Sequence, residues 1–191
     1  MKAQHVEGVK DMIPAFTSLL INYDPRVVNY GALKERLEKL LKLEVSQETA
    51  PSRIFDIPVC YGGEYGPDLE NIAMHANLST QEVIDIHSSE DYLIYMLGFL
   101  PGFSYLGGLD ERIHTPRLAN PRIKIPAGSV GIGGSQTGIY PLDSPGSWQL
   151  LGLTPVRLTI RTARFQSFSK PVIIFILYRS QKKIFLRLKN R

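Results

Sequence analysis

Apolar and polar positions change their period several times along the chain, and each change marks an element. Pro14 to Tyr23 is rich in Leu and Ile and stops at Asp24-Pro25, which predicts a strand and a turn. Leu33, Leu37, Leu40 and Leu41 then recur at helical spacing, with Lys34, Glu35, Arg36, Glu38 and Lys39 between them, so an amphipathic helix follows. Arg53 to Tyr61 alternates again and predicts the next strand. The first 61 residues therefore read as a β-α-β unit. Gly62-Gly63-Glu64-Tyr65-Gly66-Pro67 is a turn-rich connector and the expected domain boundary. Beyond it Asp68 is placed to cap a short helix through Ala76, and Ser79-x-x-Glu82 is a capping box that opens a second helix to about His87. Tyr92 to Phe99 is the next strand.

Gly98 to Pro155 then breaks the pattern. It holds 11 of the 16 glycines and 7 of the 13 prolines, interleaved with Phe, Tyr, Ile, Leu and Trp. Glycine opens backbone conformations closed to other residues, and proline fixes φ and removes a donor. With so many aromatics between them, the turns are set by chemistry rather than left loose. Ser129 to Ile132, Gly138 to Tyr140 and Trp148 to Gly152 are the expected strands, and many short strands at close spacing predict a small barrel over residues 62–158. Any functional site is expected on these turns.

Composition narrows the picture. A 43% hydrophobic and 21% charged chain of 191 residues is ordinary for a globular protein. The longest apolar run, Val172 to Tyr178, is too short for a membrane helix. One cysteine, Cys60, allows no internal disulfide, and four histidines show no metal-ligand spacing, so a cytoplasmic location is expected, with no membrane and no metal ligands. Charge is divided unevenly. Residues 1–156 carry 12 basic and 18 acidic side chains, whereas residues 157–191 carry 10 basic and no acidic ones.

Familiar catalytic motifs fail. Gly131-x-Gly133 is followed by Gln136 where a dinucleotide site needs glycine, no Gly-Lys-Ser/Thr phosphate loop occurs, and Ser104 and Ser135 lack the glycines of a nucleophile elbow. Other candidates remain. Arg117 and Arg122 each follow a proline, and two rigidly presented guanidiniums suit a carboxylate or phosphate; they read equally well as solvated loop arginines. Gln136, Thr137 and Tyr140 offer an amide, a hydroxyl and a phenol on glycine-freed backbone, the alternative being a structural hairpin. His87 is either a general base or a structural histidine at a helix end. Trp148 reads as a core or pocket-wall aromatic, and Phe99, Phe103 and Tyr105 as core.

Four segments together resemble one family: Pro58-Val-Cys-Tyr-Gly-Gly-Glu-Tyr-Gly-Pro-Asp-Leu69, Gly98-Phe-Leu-Pro-Gly-Phe-Ser-Tyr-Leu-Gly-Gly-Leu109, Pro126-Ala-Gly-Ser-Val130 and Gln136-Thr-Gly-Ile-Tyr-Pro141. The family is that of the 5-oxoprolinase B subunit, also called allophanate hydrolase subunit 1, which includes the sporulation kinase inhibitor KipI. The resemblance implies an α+β, mainly β chain: a small ferredoxin-like N-terminal α/β domain followed by a cyclophilin-like β-barrel. It implies a non-autonomous subunit that works with subunits C and A to open 5-oxoproline to glutamate with ATP. The other branch is a non-enzymatic inhibitor of a sensor histidine kinase. Carried onto this sequence, His87, Gln136, Thr137 and Tyr140 would be the catalytic group, and Arg117, Arg122 and Trp148 would bind substrate.

Two departures from the family shape the expectation for the ends. Only eight residues precede the segment that aligns from Val9, so the N-terminal domain (1–61) is expected to lack its opening strand and helix and to expose a sheet edge. After Leu158 the family pattern stops. Read one base out of phase, the codons of Thr159-Ile160-Arg161 can spell Tyr-Asp-Pro and those from Lys170 can spell Ala-Gly-Asp-Tyr-Ile, as the family continues. Residues 159–191 are therefore expected to be a basic, non-family tail arising from a frameshift, leaving the barrel short of its last strands. A basic arm for nucleic acid is the competing reading, and the apolar run Val172 to Tyr178 argues against it.

Overall fold

The computed structural model describes residues 6–42, 53–158 and 173–181. Its N-terminal part is a hairpin and a helix. Strands β1 (Val9–Pro14) and β2 (Leu19–Tyr23) pair antiparallel, where the sequence pattern suggested a single strand. The turn between them carries Phe16, whose ring lies 5.2 Å from that of Tyr95 in the barrel. Helix α1 (Tyr30–Lys42) starts where Asn29 Oδ1 accepts the Ala32 amide at 2.9 Å, an N-cap bond. Of its leucine stripe only Leu33 is buried, and Leu41 is 85% exposed; Leu19, Leu20 and Tyr30 are exposed too. The described residues here form a two-stranded sheet and one helix, and no ferredoxin-like sheet is completed among them.

The rest is a closed seven-stranded barrel. Strands β3 (Arg53–Tyr61), β4 (Asp91–Leu97), β5 (Ser104–Gly107), β7 (Ser129–Gly133), β8 (Gln136–Ile139), β10 (Gln149–Leu153) and β11 (Ile173–Arg179) run in the order β10-β3-β11-β4-β5-β8-β7, and β7 pairs back to β10. Closure pairs every barrel strand on both sides. A separate ribbon, β6 (Arg122–Ile125) with β9 (Ser144–Gly146), stands beside it.

Two placements correct the sequence reading. β3, assigned by pattern to the N-terminal unit, is a barrel strand, held by β10 on one side and β11 on the other. Conversely, the stretch 173–179, expected to lie outside the barrel, pairs parallel with β3, in register from Ile173 against Arg53 to Arg179 against Val59. The reason is hydrophobic alternation: Phe175 and Leu177 bury inward, with Leu177 fully inaccessible, while Tyr178 faces out. A run too apolar for a solvated arm is apolar enough for a strand. Residues 159–172 and 182–191 lie outside the described residues.

Helices α2 (Leu69–Ala76) and α3 (Thr80–Ser89) close the core. Ile72 and Val83 are fully buried with Val59, Leu106, Val130, Ile132, Ile139 and Leu151. α3 has the expected capping box, Ser79 Oγ accepting the Glu82 amide at 3.2 Å and Glu82 Oε2 accepting the Ser79 amide at 2.8 Å. Asp68 does not cap α2 with its side chain. It is engaged elsewhere.

Candidate functional site

A second cluster of buried side chains, Phe103, Ile125, Tyr140, Trp148 and Leu150, lies beside the main core, and its three aromatic members form the floor of an open cleft. The cleft encloses about 270 Å³ between Phe99, Phe103, Tyr105, Tyr140, Trp148, Arg117 and the prolines 121 and 145. Phe103 sits at its centre, with ring centroids 4.8 Å from Tyr105, 5.0 Å from Tyr140 and 5.4 Å from Trp148, all tilted or edge-to-face.

Local sequence explains the floor. Trp148 lies against the glycines of β7 and β8: a Cβ at Gly133 would collide with its indole, and one at Gly138 would stand 3.0 Å from Cζ3 and 2.7 Å from the Ser104 carbonyl. The glycine density of the block is thus the space the indole occupies. Phe99, at the Gly98–Phe103 turn, has φ of 67°, a left-handed conformation costly for an aromatic residue. The turn holds its ring edge-on to Phe103 at 5.6 Å, 62% exposed at the rim.

Polar groups in the cleft are few. Arg117 Cζ lies 5.8 Å from the centroid of the Trp148 ring. The Tyr140 phenol is pushed up to about 12, by burial first, against the opposing pull of the Trp148 backbone hydrogen bond and the Arg117 and Arg122 charges. It is therefore protonated at neutral pH. An aromatic cleft with one guanidinium and the Tyr105 and Tyr140 phenols suits a small, flat anion with a carbonyl to polarise.

The predicted site residues divide into three groups. Arg117, Tyr140 and Trp148 meet in the cleft. Arg122 stands behind it: its Nη2 donates to Asp68 Oδ1 at 2.6 Å and its Nη1 to the Trp148 carbonyl at 3.4 Å, so this guanidinium is committed internally rather than free for substrate. Gln136, at the start of β8 opposite Gly133, is not among the cleft-lining side chains.

His87 and Thr137 form the third group, inside the barrel. His87 is fully buried, with Nε2 2.9 Å from Thr137 Oγ1 and Nδ1 2.8 Å from the Tyr61 hydroxyl. The Thr137 hydroxyl donates to the Gly131 carbonyl at 3.1 Å. Its single proton being spent there, His87 Nε2–H must be the donor to Thr137, and Nδ1 must accept from Tyr61. Burial holds the imidazole at about 3, so it is neutral at pH 7 with both nitrogens occupied. The network replaces the expected general base with a structural tie between α3 and β8, because a bonded, desolvated histidine has no lone pair to offer substrate.

Tyr105 and Phe99 line the cleft and Asp68 holds Arg122 behind it, placements that pattern reasoning missed. Asp68 read as a helix cap; Phe99 and Tyr105 read as core. The signal present was the Gly98-Phe-Leu-Pro-Gly turn, whose two glycines and proline force a rim.

Among the described residues no group of three or more His, Cys, Asp or Glu is placed to share a metal, and no helix is long and apolar enough to cross a membrane.

Comparison with known proteins supplies the context. Residues 1–166 match the carboxyltransferase domain, subdomain C and D. The 5-oxoprolinase B subunit of Bacillus subtilis is 48% identical over 168 residues, covering 83% of this chain and 70% of that protein. The 5-oxoprolinase B subunit of Escherichia coli O157:H7 is 49% identical over 153 residues, covering 79% and 69%. Among solved structures, a conserved uncharacterized protein from Pyrococcus horikoshii superposes with a TM-score of 0.62 at 44% identity, over 95% of this chain and 83% of that one. The urea amidolyase of K. lactis shares the fold, with a TM-score of 0.68 at 20% identity over 94% of this chain and 13% of that one.

Proposed function

The chain belongs to the carboxyltransferase domain family, subdomain C and D, and on that premise we propose that it serves as the B subunit of an ATP-dependent 5-oxoprolinase. Together with subunits A and C it opens 5-oxoproline to glutamate. The observation that carries the reading is the cleft: Arg117 over the Trp148 ring beside the Tyr140 phenol, in a chain 48% identical to a protein of that name.

Ring opening breaks the C–N bond of a five-membered amide and adds water. The water oxygen goes to the carbonyl carbon, and a proton goes to the departing nitrogen. An amide resists this at neutral pH, and ATP used by the complex supplies the driving force. This chain has no Gly-Lys-Ser/Thr loop, and no step is assigned to ATP on its residues. Its own contribution is binding and orientation. Arg117 pairs with the substrate carboxylate, the flat ring lies in the aromatic cleft beside Phe99, and Tyr140, protonated at neutral pH, donates to the carbonyl oxygen. The barrel is of the cyclophilin-like type, and the protein works in the cytoplasm. A histidine-kinase inhibitor remains the alternative of a different class, and no feature of the cleft favours it.

Co-expression with subunits A and C, followed by 5-oxoproline-dependent ATP hydrolysis, tests the reading. Turnover that requires all three subunits is expected. An A–C pair equally active without this chain would overturn it.

A further inference from the structure

Asp68 lines no part of the cleft, yet both its oxygens act on the cleft's floor. It is 3% exposed. Oδ1 accepts from Arg122 Nη2 and Oδ2 accepts from the Leu150 amide, each at 2.6 Å. Arg122 in turn donates to the Trp148 carbonyl. The main chain is therefore held at two points just after the Trp148 side chain, at its own carbonyl through Arg122 at 3.4 Å and two residues on at the Leu150 amide. Arg122 also follows Pro121, a cleft wall. Charge-assisted bonds of this length are the strong ones, and a buried carboxylate that loses its partner is costly, so the arrangement has one geometry.

Stability alone would be served by a carboxylate that caps α2, the position Asp68 occupies in sequence. Its side chain makes no cap bond. It reaches instead across 54 and 82 residues of sequence to two segments that flank the same indole.

We propose that Asp68 is the positioning residue of the cleft: through Arg122 and the Leu150 amide it sets the Trp148 ring beneath Arg117, so that a flat monocarboxylate is held by Arg117 alone. The ligand class rests on the function proposed above; the positioning does not. Arg122, the second guanidinium expected to bind substrate, belongs to the frame.

Trp148 is the sole tryptophan of the chain, so its emission reads the site directly. Asp68→Asn is expected to shift the emission maximum and raise acrylamide quenching without ligand, in a protein that still unfolds cooperatively. In the wild-type protein 5-oxoproline is expected to change the emission saturably, and Asp68→Asn to weaken that binding about tenfold. In the complex with subunits A and C, KM for 5-oxoproline rises about tenfold while kcat stays within about twofold. Should Asp68→Asn fail to fold, Arg122→Lys carries the same test, since lysine keeps the charge but not the fork that spans Asp68 and the Trp148 carbonyl. A folded variant with unchanged emission, quenching and KM overturns the proposal. If the wild-type chain gives no response to 5-oxoproline, the ligand assignment falls, while the ligand-free emission still decides the role of Asp68.

Discussion

Arg117 holds its guanidinium 5.8 Å from the centroid of the Trp148 ring, on a loop fixed by Pro116 and over an indole seated on glycines. Cation and ring thus share the cleft, so a bound carboxylate would pair with Arg117 while the rest of the ligand lies against the exposed aromatic rim at Phe99. Arg117→Ala is expected to raise KM for 5-oxoproline by about tenfold to a hundredfold, the loss of one charge-assisted pair. Steady-state kinetics of the reconstituted complex check this, and an unchanged KM removes Arg117 from the site.

Gly138→Ala tests the floor. The added methyl meets the Ser104 carbonyl at 2.7 Å and the Trp148 ring at 3.0 Å, and β5 cannot move without opening the barrel. A loss of about 1–3 kcal/mol is expected from denaturant melts, with a displaced Trp148 emission. A variant as stable as the parent would mean that the indole does not rest there.

The buried His87 predicts the acid limb of stability. Its folded value is depressed to about 3 by burial, against 6.5 for the free group. Below pH 6.5 the unfolded chain takes up a proton that the folded protein refuses, so stability falls as pH drops from about 6.5 toward 3, by up to about 1.4 kcal/mol per unit. Asp110, held at about 2 chiefly by hydrogen bonds from Arg112, acts only below its unfolded value of 3.8. Glu35 and Glu82, lowered from 4.5 by hydrogen bonds from Lys39 and Ser79, act as pH falls toward 4.5 and below, so the window from about pH 5.5 to 6.5 belongs to histidine. His87→Gln, though less stable at pH 7, is expected to show a flatter slope there in urea titrations at stepped pH.

Leu177→Ala asks whether the strand from Ile173 to Arg179 is part of the fold. Leu177 is fully buried between β3 and β4, so truncation is expected to cost about 2–5 kcal/mol. A basic arm in solvent would tolerate it, and an unchanged melting curve would return this stretch to that reading.

Several elements were legible because their signals are local. The capping box at Ser79 and Glu82, the leucine spacing of α1 and the apolar, β-prone run of β3 are set by residues within a few positions of each other. β6 and β9 were not, for a three- or four-residue strand has too few positions to show a period. The site was legible in part. Arg117, Tyr140 and Trp148 carry chemistry suited to a cleft and lie in one. Arg122 has the same Pro-Arg signature as Arg117, and only the Asp68 carboxylate, 54 residues away, tells them apart.

The sequence by itself determined the helices, most barrel strands, the crowding of glycines beside aromatics and the family. Tertiary structure decided which side chains are free. Whether a histidine is a base or a tie, whether an arginine meets substrate or an aspartate, and whether an apolar stretch near the C-terminus closes a barrel all depend on partners 50 or more residues distant. Periodicity records what a residue's neighbours in sequence require. Burial and hydrogen bonding are settled by its neighbours in space.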